Sequence, residues 1–199
     1  MHPNNQKRED VVQKREIWRE NQKEISKAKI HFLDESSINL GMARLYGWGN
    51  KSERVNDYVP DVRFERTSII ATLCEDGINA PMTFKGTLDK EVFSPYIKDF
   101  LAPTLNAGDI VVMDNCSVHK VKDILSPIYE KGATVLFLPP YSPDLNPIEL
   151  AWSKMKSILR SLKARSVDEM FKALIISLNS ITKTDIENWF KHDGYCVNV

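Results

Sequence analysis

Short runs of apolar residues recur along the chain, and their lengths and compositions are typical of buried β-strands. Each run holds five to eight residues rich in Ile, Val, Leu, Phe or Thr, and several are bounded by Gly, Asp or Pro. The turn sequence Asp76-Gly77 favours a hairpin between the second run and the third. The five predicted strands are residues 29–34, 67–74, 78–84, 110–114 and 133–138.

Amphipathic segments around these runs predict helices. In residues 89–105 and 121–131 the apolar side chains recur at helical spacing, and Gly132 ends the second of these segments. Residues 1–28 predict a mostly polar helix. Its thin apolar side consists of Val11, Val12, Trp18 and Ile25.

Helix-start sequences mark three more helices in the last third of the chain. Asn146 suits the N-cap of a long helix, and Pro147 suits its first position. Ser166 and Glu169 have the spacing of a capping box, which predicts the start of the next helix. A short last helix is predicted to begin near Asp185.

The order of these elements predicts the fold class. A strand, two hairpin strands, and then strands that alternate with helices indicate a mixed α/β sheet flanked by helices. We expect the first three strands to form an antiparallel meander and the last two to lie parallel to the first. No internal repeat or long linker is present, so residues 29–199 form one domain after the linking helix 1–28. Residues Val55–Val62 are expected to form a weak strand or a loop.

Composition narrows the classes of protein further. The chain has 199 residues, of which 42% are hydrophobic and 27% charged, as in ordinary globular domains. There is no apolar run of about 18 residues and no signal peptide, so no membrane partner is expected. Three scattered cysteines argue against a disulfide framework or a zinc site, and favour a reducing, cytoplasmic location.

The charge distribution is more informative than the net charge, which is zero with 27 basic and 27 acidic residues. The segment from Leu150 to Arg165 contains five basic residues and no acid. A local basic stripe can contact phosphate groups even on a neutral protein. The candidates for contact with a nucleic-acid backbone are Lys120, Lys156, Arg160 and Lys163.

Three acidic residues occupy related positions beside the predicted elements. Asp34 and Asp114 each end an apolar strand, and Glu149 opens the long helix. Open α/β sheets have their ligand crevices at the carboxyl ends of strands, so we expect the three carboxylates to meet there. Mg²⁺ prefers oxygen ligands, and two ions about 3.5–4 Å apart can share three carboxylates. The pattern predicts a two-metal site for phosphoryl transfer.

Each acid also has an ordinary structural interpretation. Asp34 could cap a turn, Asp114 could form an Asx turn, and Glu149 could be a capping acid at a helix start. Asp34 could instead be a phosphoryl-accepting nucleophile. Phosphatases of that type usually carry a second aspartate two residues later, where this chain has Ser36.

Glu35, Asn115 and His119 adjoin these acids and are candidates for supporting roles. Glu35 could replace one of the metal ligands or support them from outside the metal site, although an exposed position is more common for such a residue. Asn115 could likewise support the ligands. His119 could contact phosphate or activate water, or it could simply face solvent.

Several motifs carry a resemblance to a known family. They are FLDES at 32–36, MDNCSVH at 113–119, LPPYSPDLNPIELAW at 138–152 and WFKHDGY at 189–195. In addition, 34 residues separate Asp114 from Glu149, which matches the family's spacing of its second and third acids. The chain resembles the DDE-superfamily endonuclease domain of bacterial insertion-sequence transposases related to mariner elements (insertion sequence 630 type).

The resemblance implies a ribonuclease-H-like fold, with a mixed five-stranded sheet flanked by helices, for residues 29–199. It implies Asp34, Asp114 and Glu149 as catalytic ligands of Mg²⁺ or Mn²⁺. The implied reaction is hydrolysis of a DNA phosphodiester that frees a 3′-hydroxyl, followed by attack of that hydroxyl on target DNA. The implied partners are double-stranded DNA and, in a homodimer, a second copy of the chain, at the nucleoid of a bacterial cytoplasm.

One departure from the family leaves other functions open. Full-length members carry an N-terminal helix-turn-helix region that recognises the element's ends, whereas this chain begins at the linking helix. A truncated, non-catalytic regulator that dimerises or occupies DNA is therefore an alternative, and metal-dependent strand cleavage would distinguish it. A nuclease of the same fold acting on RNA–DNA hybrids is a third, and substrate preference would distinguish that one.

Overall fold

The computed structural model describes residues 4–44, 46–56 and 66–196, and its strands form one sheet in the order β3-β2-β1-β4-β5. The strands are β1 (Ile30–Ile38), β2 (Thr67–Cys74), β3 (Gly77–Lys85), β4 (Ile110–Met113) and β5 (Thr134–Phe137). The helices are α1 (Glu9–Ile25), α2 (Lys90–Pro95), α3 (Lys122–Glu130), α4 (Ile148–Leu162), α5 (Val167–Asn179) and α6 (Lys183–His192). The weak strand or loop expected at Val55–Val62 falls mostly outside the described residues.

The strand pairing follows the predicted topology. β1 pairs antiparallel with β2, and β2 pairs antiparallel with β3. β4 lies parallel to β1, and β5 lies parallel to β4. Two apolar cores lie on the two faces of the sheet: one contains residues of α1, α4, α5 and α6, and the other contains residues of α2 and α3. The mixed five-stranded sheet flanked by helices is therefore confirmed.

β1 is longer than predicted, which changes the setting of Asp34. The parallel pairing with β4 ends at Phe32 and Val112, but β1 continues along β2 as far as Ile38. Ser36 and Ile38 are buried in this extension, so the strand keeps its alternation beyond the apolar run. The prediction that Asp34 ends a strand was wrong: it lies within β1, just past the point where β1 and β4 diverge.

The predicted helix 89–105 is interrupted. It consists of α2, a π-helical turn at Tyr96–Leu101 and a 3₁₀ turn at Ala102–Thr104. Pro95 lies at the boundary, and its ring nitrogen has no hydrogen to donate to the preceding turn. The i→i−4 ladder therefore cannot continue unchanged, and the segment rewinds with wider spacing.

The starts of the last three helices differ in detail from the predictions. Asn146 does not cap α4 with its side chain, whose Oδ1 is buried without a hydrogen-bond partner among the described residues; its backbone carbonyl accepts from Glu149 N instead. Only half of the capping box predicted at Ser166 and Glu169 forms. Glu169 N donates to Ser166 Oγ, but the Glu169 carboxylate accepts from Arg165 N. A complete capping box starts α6 two residues before Asp185.

α1 packs against the rest of the fold along one face. That face includes polar side chains that the apolar pattern did not indicate, and Val12, assigned to it from the sequence, is exposed. Trp18 donates from Nε1 to the Tyr195 hydroxyl at 2.9 Å, and that hydroxyl donates to the Leu145 carbonyl at 2.8 Å. In the described part of the chain, no helix is long and apolar enough to cross a membrane.

Candidate active site

The three predicted acids line one open cleft, which forms where β1 and β4 diverge. Its volume is about 460 Å³. Asp34 comes from β1, Asp114 directly follows β4, and Glu149 lies in the first turn of α4. The remaining wall is the proline-rich loop of residues 138–143 with two asparagines. The structure therefore brings together side chains that are far apart in the sequence.

Asp34 is the most enclosed of the three carboxylates. The indole Nε1–H of Trp152 on α4 donates a hydrogen bond of 3.1 Å to its Oδ2. Burial raises the pKa of Asp34 well above its ordinary value, and repulsion from Glu149 and Glu35 raises it further. A cation placed among these carboxylates would relieve that repulsion. Trp152 was assigned from the sequence only to an apolar helix face, so its contact with Asp34 was missed.

His119 is buried between two carboxylates. Its Nδ1 lies 2.7 Å from Asp114 Oδ1, and its Nε2 lies 2.9 Å from Glu35 Oε1. Its ring packs on Phe93 with 4.8 Å between ring centroids. Burial acts to lower the pKa of His119, but the hydrogen bonds to the two carboxylates outweigh it and raise the pKa to about 10. The imidazolium therefore donates from both nitrogens.

Asp114 forms the Asx turn that was one of its structural interpretations, and it lines the cleft as well. Its Oδ1 accepts from Cys116 N at 2.8 Å and from His119. Burial acts to raise the pKa of Asp114, but these two hydrogen bonds outweigh it and lower the pKa. Both bonds use the same oxygen, so Oδ2 makes no hydrogen bond within the described residues.

The supporting candidates are placed differently from their simplest interpretations. His119 does not face solvent, and Glu35 is half-buried against it instead of exposed. Asn115 donates from Nδ2 to the Leu138 carbonyl, which ties the loop after β4 to the end of β5. Glu35 and His119 thus form a hydrogen-bonded support behind Asp114, whereas Asn115 shapes the cleft wall.

Glu149 and two of the predicted basic residues lie on α4, and a third directly follows it. Burial raises the pKa of Glu149, and the charge of Lys156 opposes this shift. Lys156 and Arg160 are half-buried, whereas Lys163 is exposed in a left-handed conformation at the end of α4. Lys120 is exposed, and its charge contributes to the lowered pKa of Asp114.

A buried arginine of α1 anchors the loop that lines the cleft. The Arg15 guanidinium donates to Ser142 Oγ at 2.7 Å and to both carboxylate oxygens of Asp144, at 2.9 and 2.6 Å. A two-pronged pair of this kind fixes orientation as well as position. Tyr141, within the anchored loop, has a left-handed φ of 57°. Sequence reasoning missed Arg15 because arginine on a polar helix is usually exposed.

The donor chemistry of the cleft fits a hard divalent cation. Within the described residues, no three His, Cys, Asp or Glu side chains are already arranged around one point as a metal site. The cleft nevertheless presents the free Oδ2 of Asp114, and the Glu149 carboxylate accepts no hydrogen bond from the described residues. Crowded carboxylates with unused oxygens are the ligands that Mg²⁺ selects.

Comparison with known protein sequences identifies relatives. Residues 29–171 match the family model described as DDE superfamily endonuclease. The transposase of transposable element Tcb1 from Caenorhabditis briggsae is 26% identical over 106 residues, which are 51% of this chain and 39% of that protein. The chain therefore spans about two fifths of the length of this relative.

Solved structures show the same fold. The Mos1 transposase paired-end complex with left transposon end superposes with a TM-score of 0.74 at 15% identity, over 94% of this chain and 60% of that one. The Mos1 transposase catalytic domain with raltegravir and Mg gives 0.69 at 15% identity, over 94% and 91%. The fold is thus the ribonuclease-H-like fold of the Mos1 catalytic domain. With a family match over well more than half of its residues, the chain belongs to the DDE superfamily of endonucleases.

Proposed function

We propose that the chain catalyses metal-dependent hydrolysis of DNA phosphodiester bonds and the joining of the freed 3′-hydroxyl to target DNA. The observation that carries this proposal is the set of three carboxylates lining one cleft in a DDE superfamily chain. Mos1 structures of the same fold are described with a transposon end, with Mg and with Mn, which supports DNA as substrate and Mg²⁺ or Mn²⁺ as cofactor.

Asp34, Asp114 and Glu149 would hold two ions between them. When bound, such ions supply positive charge next to the attacking and leaving oxygens of an in-line displacement. The unused Oδ2 of Asp114 and the Glu149 carboxylate are the ligands that need the least rearrangement. Asp34 keeps its Trp152 contact through one oxygen, so its carboxylate is held at a fixed angle.

Other residues of the chain keep this anionic cleft assembled. The charged His119 lies between Asp114 and Glu35, so it offsets part of the repulsion among the carboxylates in and beside the cleft. Arg15 holds the loop that leads into α4, and therefore positions the helix turn that carries Glu149. These residues bind and orient the ligands; they need not exchange a proton with the substrate.

We propose further that Lys120, Lys156, Arg160 and Lys163 contact DNA phosphates. Lys120 and Lys156 are close enough to Asp114 and Glu149 to lower the pKa of these acids, and Arg160 and Lys163 follow Lys156 toward the end of α4. Cations in this arrangement would draw the DNA backbone toward the cleft. A second copy of the chain is the proposed partner in the active complex. The motifs at 113–119 and 138–152 support a bacterial insertion-sequence element, and hence a place at the nucleoid in the cytoplasm.

The alternative of a non-catalytic regulator is not favoured. A regulator needs the fold and a DNA-binding surface, but it does not need three acids around one cleft. Here all three are present, with Trp152 and His119 oriented toward two of them. This arrangement points to catalysis.

Asp114→Asn tests the proposal, because it removes a ligand charge and keeps the side-chain shape. We expect it to abolish Mn²⁺ binding, measured by calorimetry with short duplex DNA present, and to slow DNA cleavage about a hundredfold or more. Asp123→Asn, an exposed acid on α3, is the matched control and should behave as wild type. Absence of metal-dependent cleavage by the wild-type chain, or cleavage unaffected by Asp114→Asn, would refute the proposal.

A further inference from the structure

A second hollow, larger than the carboxylate cleft, lies between α1 and the end of β5. Its volume is about 730 Å³, within the usual range for ligand sites, which is about 300–1,000 Å³. Ile17 and Trp18 of α1 form one wall, and Phe137 with Pro140 belongs to the other. We call this hollow the α1 groove. Apart from Lys120 and the residues that it shares with the carboxylate cleft, its lining has no role in the function proposed above.

The α1 groove adjoins the carboxylate cleft directly. Asn115 and residues 138–140 line both hollows and form the rim between them. The hydrogen bond from Asn115 to the Leu138 carbonyl fixes this shared rim. A strand whose phosphate lies at the carboxylates can therefore continue across this rim into the groove.

The two ends of the groove differ in charge. Lys14 and Lys120 line it, and neither has a carboxylate within salt-bridge distance among the described residues. Lys14 is next to Arg15, which contacts the cleft loop, so this basic end lies toward the carboxylates. Glu24 lies about 15 Å further along α1, at 1.5 Å per residue. Its charge is already paired with Lys27 at 2.7 Å. The unpaired positive charge thus lies at the end of the groove nearer the carboxylates, where Lys120 lowers the pKa of Asp114.

The middle of the groove is apolar and open. Ile17 is 50% exposed, although it is a large aliphatic side chain on the wall of a hollow. Phe137, Pro139 and Pro140 offer further apolar surface opposite it. A nucleobase has flat apolar faces, and bases stack on such surfaces with little dependence on sequence. A paired base is already stacked within its duplex, so only an unpaired base could enter.

We propose that the α1 groove is a subsite for one unpaired nucleotide of the strand whose phosphate lies in the carboxylate cleft, with its base on Ile17 and Pro140 and its phosphate between Lys14 and Lys120. The inference rests on the proposed function, since it takes DNA as the substrate. It adds a structural preference: DNA that is frayed or unpaired next to the cleaved bond binds better than a closed duplex.

Binding of two DNAs that share one duplex tests the subsite. One has a blunt end and the other carries a single unpaired 2-aminopurine nucleotide, and both are titrated in Ca²⁺ to limit cleavage. We expect the wild-type chain to bind the unpaired DNA about tenfold more tightly, with a change in 2-aminopurine fluorescence. Ile17→Asp should remove the preference and the fluorescence change. Its added negative charge also lowers the affinity for blunt DNA, so the ratio of the two affinities is the readout.

Two further variants keep the result interpretable. Ile17→Trp enlarges the stacking surface and should strengthen the preference, whereas Lys23→Ala, exposed on α1 outside the groove, should leave it unchanged. Equal affinity of the wild-type chain for both DNAs, or a preference that survives Ile17→Asp, would overturn the subsite. Cleavage of blunt DNA is measured separately in Mg²⁺. Cleavage without the preference refutes the subsite alone, and the preference without cleavage refutes the catalytic proposal alone.

Discussion

Two buried histidines, at opposite ends of the same sheet, are each paired with aspartate and yet differ in charge. His119 and His31 are both only 1% exposed. At the cleft end, two carboxylates within 2.9 Å of its nitrogens raise the pKa of His119 to about 10. At the other end, burial lowers the pKa of His31, because its single partner Asp109 lies 3.3 Å from Nε2 and Nδ1 has no partner among the described residues.

The difference shows that burial alone does not decide the charge of a histidine. Desolvation acts against the imidazolium at both positions, and the number and closeness of the carboxylates decide the outcome. The Asp109 carboxylate also accepts a hydrogen bond of 2.9 Å from Asn106 N, which stabilises it without a cation. The cleft therefore contains a fixed positive charge, whereas at the opposite end of the sheet an uncharged imidazole lies beside Asp109.

Removal of the charged histidine should have the largest effect. His119→Asn leaves Asp114 and Glu35 without their shared cation, so we expect a loss of about 2–3 kcal/mol in the free energy of unfolding. DNA cleavage should also fall, because Asp114 loses its orientation. Urea denaturation of this variant beside His31→Asn is the measurement. An equal or smaller loss for His119→Asn would show that the two pairs do not differ in charge.

Removal of the second carboxylate should make His119 resemble His31. Glu35→Gln keeps a hydrogen-bond acceptor but removes one negative charge, so the pKa of His119 should fall from about 10 toward its ordinary value. Titration of the two imidazoles by NMR measures this directly. The pKa of His31 serves as an internal control and should not move. A pKa of His119 that stays near 10 would assign its charge to Asp114 alone.

The smallest expected effect is in the pH dependence of stability, where the two histidines act with opposite sign. The raised pKa of His119 stabilises the fold fully below pH 6.5, and this contribution is lost as pH rises through about 10. The lowered pKa of His31 gives stability that is complete above pH 6.5 and declines as pH falls below it. His31→Asn should flatten the acidic decline by about 1 kcal/mol. Unfolding free energies between pH 5 and pH 7 would show it, and an unchanged slope would contradict it.

The sequence was sufficient for the strands, the topology and the three acids in the cleft, because each depends on local patterns. Apolar runs and the helices between them indicated which strands pair antiparallel and which parallel, and strand-end and helix-start positions singled out Asp34, Asp114 and Glu149. What the sequence could not supply depends on contacts between distant residues. No sequence pattern near Glu35 indicates that its carboxylate pairs with a histidine 84 positions later.

The sequence also did not predict the polar residues that lie on buried faces. Arg15 and Gln22 lie on the inner face of α1, where an apolar pattern predicts none, because their partners are in the last third of the chain. The length of β1 was also beyond local prediction. Its second half pairs with β2 alone and is mostly polar, so the apolar run predicted the strand only as far as Asp34.

The contacts of α1 also bear on how the protein is made. Trp18 bonds to Tyr195, Gln22 to the carbonyl of Asp193, and Ser26 to the backbone of Cys196. The first of these pairs is separated by 177 residues. At about 5–20 residues per second on the ribosome, roughly 9–35 s pass between synthesis of Trp18 and synthesis of its partner. During that interval the inner face of α1 lacks its partners near the other end of the domain, so the docking of α1 is completed only after residues 193–196 have been made.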